Sequence, residues 1–314
     1  MKKLLSPFKS SSSLSLLEIP KSFEIIGNIA HLNLREKFLP WKFLIAKIIL
    51  DKNPNLKTVI NKTSKIDNVF RTYTMEMLGG AENYLVSHRE GNINFHFDIR
   101  SVYWCSRLHS ERDRLLKLIK KGQVLCDAFC GVGPLALRAA KQGVKVYAND
   151  LNPNCFEFLK KNIVLNKIDR KMLLPFNMDA RQFIRMCISQ GKNENEAENN
   201  ESLFVNDDKK DERIDHFYMN LPKDAIEFLD AFRGAFKESE VYCNNKHSLP
   251  IVHVYGFSNA PDPKQDLLGR VCKAFNIEKL SEKDFVEIVN IRDVSTKKHM
   301  FSVSVRIPEE VAFE

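Results

Sequence analysis

From residue 122 onward, short apolar runs alternate with amphipathic stretches. QVLCDAFC reads as a strand and PLALRAAKQG as a helix ended by Gly143; VKVYAND and CFEFLKKNIVLN repeat the pair. MLLPFNMD with ARQFIRMCIS, HFYMNLP with DAIEFLDAFRGAF, and LPIVHVYGFS with KQDLLGRVCKAF continue the alternation. FVEIVNIRDV and HMFSVSVRI close the chain as two strands around a short polar turn, hence antiparallel. The pattern predicts an α/β domain built on a doubly wound, mainly parallel, seven-stranded sheet with an antiparallel hairpin at its end.

Residues 22–100 carry mixed signals. SFEIIGNIAHLNL reads as a strand, and PWKFLIAKIILDK as an amphipathic helix begun by Pro40. KTVINKTSKI and NVFRTYTMEML follow, then YLVSHRE and INFHFDI as a hairpin around Gly91. The predicted division is a flexible tail at 1–21, a smaller α+β substrate-recognition domain at 22–100 and the large domain at 101–314. A polar, charge-rich stretch at 191–213 is predicted to be a disordered insertion in that domain.

Composition narrows the field. The 48 Lys+Arg against 40 Asp+Glu leave a net charge of +8, which suits a polyanionic partner without requiring one. No apolar run reaches the length of a membrane span. The seven cysteines form no CxxC pair and read as free, buried thiols of a reducing compartment, with no metal site expected. The N-terminus, MKKLLSPFKSSSSLSLL, reads as a disordered tail rather than a transit peptide, since it lacks arginine.

Candidate chemistry gathers at the strand ends. In LCDAFCGVGPLALRAA a strand carrying Asp127 runs into Gly131-Val-Gly133, a tight turn before a helix that begins at Pro134. The third glycine of a dinucleotide fingerprint is absent, which favours a nucleoside over a diphosphate. The following strands end in Asp150, Asp179 (with Ala180 beside it) and Asn220. In a doubly wound sheet those ends share one crevice, where carboxylates can accept ribose hydroxyls or a base amine. Helix capping accounts for any one of them but poorly for the set.

This constellation resembles the class I S-adenosylmethionine-dependent methyltransferases. A longer ordered series, from GNIAHLNLREKFLPWKFLIAKIILDKNPNLKTVINK and FRTYTMEMLGG through FDIRSVYWCSRLHSERDR, DAFCGVGP, YANDLNP and MNLPKDAIEFLDAF to IRDVSTKKHMFSVSVRIP, resembles the eukaryotic and archaeal tRNA (guanine-37-N1)-methyltransferases. The resemblance implies methyl transfer from S-adenosylmethionine to N1 of the guanosine 3′ of the anticodon, with the tRNA anticodon stem-loop as partner. It also implies a monomer in cytoplasm and nucleus, the N-terminus leaving a mitochondrial matrix open. Such proteins usually carry a further N-terminal tRNA-contacting domain, which is not expected here. Lys42, Lys47, Lys52 and Lys57 are then either an RNA-facing surface or a solvated helix face.

N1 of guanine carries a proton, so its alkylation needs a general base and a group facing O6 as charge develops there. On the residues alone, Glu111 reads as a first-turn helix residue capped by Ser110, and Arg71 as a surface charge. The resemblance assigns Glu111 as the base and Arg71 as the group steadying O6. It carries cofactor contacts onto Arg112, Asp150, Leu151, Asp179, Ala180 and Asn220, with Asn220 also near the guanine. Tyr103 is read either as shaping the site or as core. Two competing readings are a wybutosine-pathway aminocarboxypropyl transferase acting on tRNA and a cofactor-free RNA-binding module.

Overall fold

The computed structural model describes residues 23–63, 70, 72–189, 213–243, 248–295 and 298–314. The predicted tail, most of the predicted insertion and Arg71 lie outside the described residues. The chain divides into two compact units, Met1–Ser106 and Arg107–Glu314.

In the first unit, β1 (Glu24–Ile26), β2 (Ile29–Leu32), β3 (Thr58–Lys62) and β4 (Met75–Gly80) form a sheet in that order. The single strand predicted over SFEIIGNIAHLNL is therefore two. Ile26 pairs with Ile29 across a two-residue turn of Gly27 and Asn28, a tight-hairpin signal that the apolar run obscured. Helix α1 (Lys42–Lys52) starts two residues later than expected, because Glu36–Trp41 forms a 3-10 turn around Pro40. Its Ile45, Ala46 and Ile49 pack with Ala30, Leu32, Val59 and Leu78. The predicted hairpin is β5 (Leu85–Glu90) with β6 (Ile93–Asp98).

In the second unit, α2 (His109–Leu118) precedes a sheet formed by β7 (Val124–Asp127), β8 (Lys145–Asn149), β9 (Leu173–Phe176), β10 (His216–Met219), β11 (Ile251–Ser258), β12 (Phe285–Ser295) and β13 (Lys298–Arg306). The order is β12-β13-β11-β10-β7-β8-β9. β7 to β11 run parallel, and β13 lies antiparallel between β11 and β12. The expected doubly wound sheet and its closing hairpin are present. Strand order reverses between β7 and β10, which places the switch-point crevice at the ends carrying Asp127 and Asn220. Helices α3 (Ala136–Lys141), α4 (Pro153–Leu165), α5 (Ala180–Ser189) and α6 (Pro263–Phe275) fill the connections.

Two expectations change here. Ala225–Phe232 is a 3-10 rather than an α-helix. Its apolar residues recur every third position (Ala225, Phe228, Ala231; Ile226, Leu229, Phe232), a spacing that suits three residues per turn. Ser110 is not the cap of α2, since the helix already includes His109 and its N-terminus has no side-chain cap. No described helix is long and apolar enough to cross a membrane. Cys126, Cys130, Cys155, Cys187 and Cys272 are buried thiols outside any disulfide, as expected, whereas the Cys243 thiol is exposed.

One face of the sheet is unusually polar for an interior. His216 on β10, His253 on β11 and Ser304 on β13 are all buried. His216 Nδ1 lies 3.1 Å from His253 Nε2, and His253 Nδ1 lies 2.8 Å from Ser304 Oγ. Burial, the largest cause in each case, pushes His216 down to about 4 and His253 to about 3. Both rings are neutral at pH 7. An unfolded histidine takes its proton near 6.5, so the stability from this neutral pair is complete above that pH and is lost as pH falls toward 4. We expect the denaturant midpoint of the wild type to drop more between pH 7 and 5 than that of His216→Gln or His253→Gln. Equal drops would show that the pair does not set the acid sensitivity.

Candidate active site

The loop after β7 turns on Gly131 (φ 56°) and Gly133 (φ 88°), backbone values that glycine adopts without strain. A Cβ at Gly133 would lie 2.6 Å from Leu159 Cδ1 and 3.1 Å from Leu137 Cδ1, so the loop rests directly on α4 and α3. At Gly131 an added Cβ would meet nothing within 4 Å among the described residues. Asp150, just beyond β8, accepts the Gly131 amide at 2.8 Å and the Asn152 amide at 2.9 Å. Burial nonetheless raises the Asp150 carboxyl above its ordinary range, outweighing those donors.

Buried Asn149 ties the loops together. Its Nδ2 donates to Ala128 O at 3.3 Å and Met178 O at 3.0 Å, and its Oδ1 accepts the Met178 amide at 3.0 Å. Asn177 Nδ2 donates to the carbonyls of Asp150 and Leu151 at 2.7 and 3.1 Å. Leu151 is exposed, while Ala180, the first residue of α5, is buried. Asp179 Oδ1 accepts the Arg181 amide at 2.8 Å, so that oxygen caps α5.

A second cluster joins α2 to the sheet. Glu111 is 4% exposed. Arg114 grips it in a fork, Nε to Oε2 at 2.7 Å and Nη2 to Oε1 at 2.8 Å, and the Tyr255 hydroxyl also donates to Oε1. The Tyr255 ring packs edge-on against Tyr218 at 5.4 Å. Asn220 Nδ2 donates to the Tyr218 hydroxyl at 2.6 Å. Glu111 and Asn220, predicted from distant segments, thus meet through two tyrosines. Buried Arg112 lies within electrostatic reach of Tyr218.

Both parts match known proteins. Residues 86–193 match the family described as TRM5/TYW2 methyltransferase domain, and residues 2–83 match the TYW2 N-terminal domain. A tRNA (guanine(37)-N(1))-methyltransferase of Schizosaccharomyces pombe is 40% identical over an alignment of 310 residues that covers 94% of this chain and 70% of that protein. The chain belongs to the tRNA (guanine(37)-N(1))-methyltransferase family. A Vitis vinifera member is 44% identical over 94% of this chain, but the chain spans only 45% of that relative. The solved structure of Trm5b from Pyrococcus abyssi is 28% identical with a TM-score of 0.68, covering 91% of this chain and 75% of that one.

Against the site expected for a tRNA (guanine(37)-N(1))-methyltransferase, the structure brings Asp150 onto the Gly131 loop and Glu111 and Asn220 into the tyrosine-linked cluster. In the first unit Tyr103 is 37% exposed, so it is not core. Lys42 pairs with Glu76 at 2.5 Å and Lys47 with Asp51 at 3.1 Å, which engages two of the four candidate RNA-facing lysines. Sequence reasoning missed Asn149, Arg114, Tyr218 and Tyr255. The available signal was polar residues at alternate positions of otherwise apolar strands, His253 and Tyr255 in β11 and Ser302 and Ser304 in β13.

Asp127 is 1% exposed, and its Oδ2 has no hydrogen-bond partner among the described residues. Burial, with the Asp150 charge adding to it, pushes this carboxyl well above its ordinary range despite the Phe129 amide. A raised acid holds its proton more tightly folded than unfolded. Its stability contribution is therefore present below the ordinary aspartate value and is lost as pH rises toward the folded one. We expect Asp127→Asn to melt higher than wild type, with the difference widening from pH 5 to pH 8. A constant or narrowing difference would contradict this account.

Proposed function

We propose that this chain is a tRNA (guanine(37)-N1)-methyltransferase that uses S-adenosylmethionine and takes Glu111 as its general base. The observation that carries the reading is the Glu111 cluster. A buried carboxylate on α2, held in a fork by Arg114, reaches through Tyr255 and Tyr218 the Asn220 turn at the switch point.

The residues at the strand ends fit the cofactor. A buried oxygen on Asp127 with no partner among the described residues, and a Gly131 face that none of them fills, adjoin Asp150, which is already fixed by backbone amides. Asp150 would take the ribose hydroxyls and the second oxygen of Asp179 the adenine amine, with Arg112, Leu151, Ala180 and Asn220 lining the remainder. S-adenosylmethionine, when bound, supplies a methyl carbon whose bond to sulfur breaks with the electron pair going to sulfur.

Glu111 accepts the N1 proton of guanine, which frees the nitrogen electron pair as nucleophile. Its Oε1 already accepts two hydrogen bonds, from Arg114 and Tyr255, whereas Oε2 accepts one and has a lone pair left for that proton. Arg71 would steady O6 as negative charge moves there. The base must leave the anticodon-loop stack to present its edge. An aminocarboxypropyl transferase remains the second reading, because the match over residues 2–83 is to a TYW2 N-terminal domain.

Unmodified tRNA transcripts carrying G or A at position 37 test the assignment, with the product nucleoside weighed by mass spectrometry. We expect one added methyl on the G37 transcript alone; an added aminocarboxypropyl mass would establish the second reading, and equal labelling of both transcripts neither. Glu111→Gln should slow single-turnover methylation by about 10²-fold or more with little change in S-adenosylmethionine affinity. A wild-type rate in that variant removes Glu111 as the base.

A further inference from the structure

We propose that Glu287 is a positioning residue for Glu111: by drawing one arm of Arg114 to itself, it keeps the Glu111 carboxylate able to accept a proton. The inference rests on Glu111 being the base. A carboxylate held in a fork by an arginine of undivided charge is a poor proton acceptor, since the guanidinium stabilises its ionised form. Arg114 is not undivided. Its Nε and Nη2 serve Glu111, while Nη1 donates to Glu287 Oε1. One cation thus stands between two carboxylates. Glu111 is enclosed (side chain 3% exposed), whereas Glu287 is open to water at 32%.

The polar face behind Glu287 strengthens its hold on Arg114. Gln123 Oε1 accepts the Lys120 amide at 2.6 Å, which fixes the oxygen end of that side chain. The His216 nitrogen 3.3 Å away, Nε2, must therefore carry the proton, and His216 Nδ1 must accept. His253 then donates from Nε2 to His216 and accepts at Nδ1 from the Ser304 hydroxyl. Both rings are neutral, so this polarity is fixed. The Ser304 proton points to His253 at 2.8 Å rather than to Glu287 Oε1 at 3.4 Å. Ser304 leaves the Glu287 charge to Arg114.

The charged and titratable groups around Glu111 come from each neighbouring element. Arg112 and Arg114 lie on α2, Tyr255 and, beside Arg114, His253 on β11, Tyr218 on β10 and Glu287 on β12. Asp127, at the end of β7, acts on Tyr218. Of these, Glu287 is the one whose neutralisation returns Arg114 wholly to Glu111, and Glu287→Gln is close to isosteric at a half-exposed site.

The test is the pH profile of single-turnover methylation, using the full chain, S-adenosylmethionine and a G37 transcript. Glu287→Gln is expected to move the acidic limb of the rate to lower pH by about half a unit or more and to lower the plateau several-fold, with KM for tRNA unchanged. Arg114→Gln is expected to move the same limb to higher pH. Local damage to packing would lower both plateaus without moving the limbs in opposite directions. Glu287→Asp, which keeps the charge, should bring the limb back toward wild type, and it carries the test with Glu287→Gln if the arginine variant does not fold. An unmoved limb in Glu287→Gln, beside a slow Glu111→Gln, overturns the role of Glu287 and leaves the base assignment standing. A wild-type rate in Glu111→Gln overturns both.

Discussion

The forked pair between Glu111 and Arg114 constrains much of the second unit. A carboxylate that is almost wholly enclosed has lost its hydration, and only dense, well-aimed hydrogen bonding compensates. Arg114 supplies two donors and Tyr255 a third. Those partners lie on different elements, so the charge fixes the placement of α2 over β11, and through Glu287 over β12. The polar interior face follows from it. A strand pairing Tyr255 with Ser302 and His253 with Ser304 makes a poor hydrophobic surface but can serve a buried ion and its partners.

At the strand ends the same logic acts through side chains that satisfy backbone groups. Asn149 spends its amide on the loops after β7 and β9, and Asp150 spends its carboxylate on two backbone amides. These bonds hold the crevice in shape before any ligand arrives, which lowers the ordering cost of binding. The two clusters divide the work: one fixes loops, the other a charge.

Much of this was legible in the residues, and what escaped has a common cause. The alternating segments fix each strand of the seven-stranded sheet because burial on both faces leaves long apolar runs that helices interrupt. The aspartates at strand ends were visible because their position, rather than their type, is diagnostic. Gly27-Asn28 was lost within an apolar stretch, and the 3-10 helix at Ala225–Phe232 looked like an α-helix because eight residues suit either period. The partners of Arg114, Tyr255 and Glu287 were beyond reach for another reason. Their meaning comes from pairing across 173 and 144 positions of sequence, and no local pattern encodes a partner so distant.

The Asn220-Leu221-Pro222 turn shows why that distance matters for the proposed chemistry. The turn is braced by backbone groups, with the Asp224 and Ala225 amides on Leu221 O and the Phe257 amide of β11 on Pro222 O. Its one reactive-looking side chain is spent on Tyr218. Such a turn is well suited to holding an edge in place but has no group that could remove a proton. An exocyclic amine, once its hydrogens are held, needs little more, whereas a protonated ring nitrogen needs a base. In this fold the base has to come from outside the strand-end loops, from a helix that precedes the sheet. Placing a carboxylate there means burying it, and a buried carboxylate needs a cation. The cation that makes it stable also makes it a weaker acceptor, so a second carboxylate sharing that cation is the electrostatic remedy closest to hand.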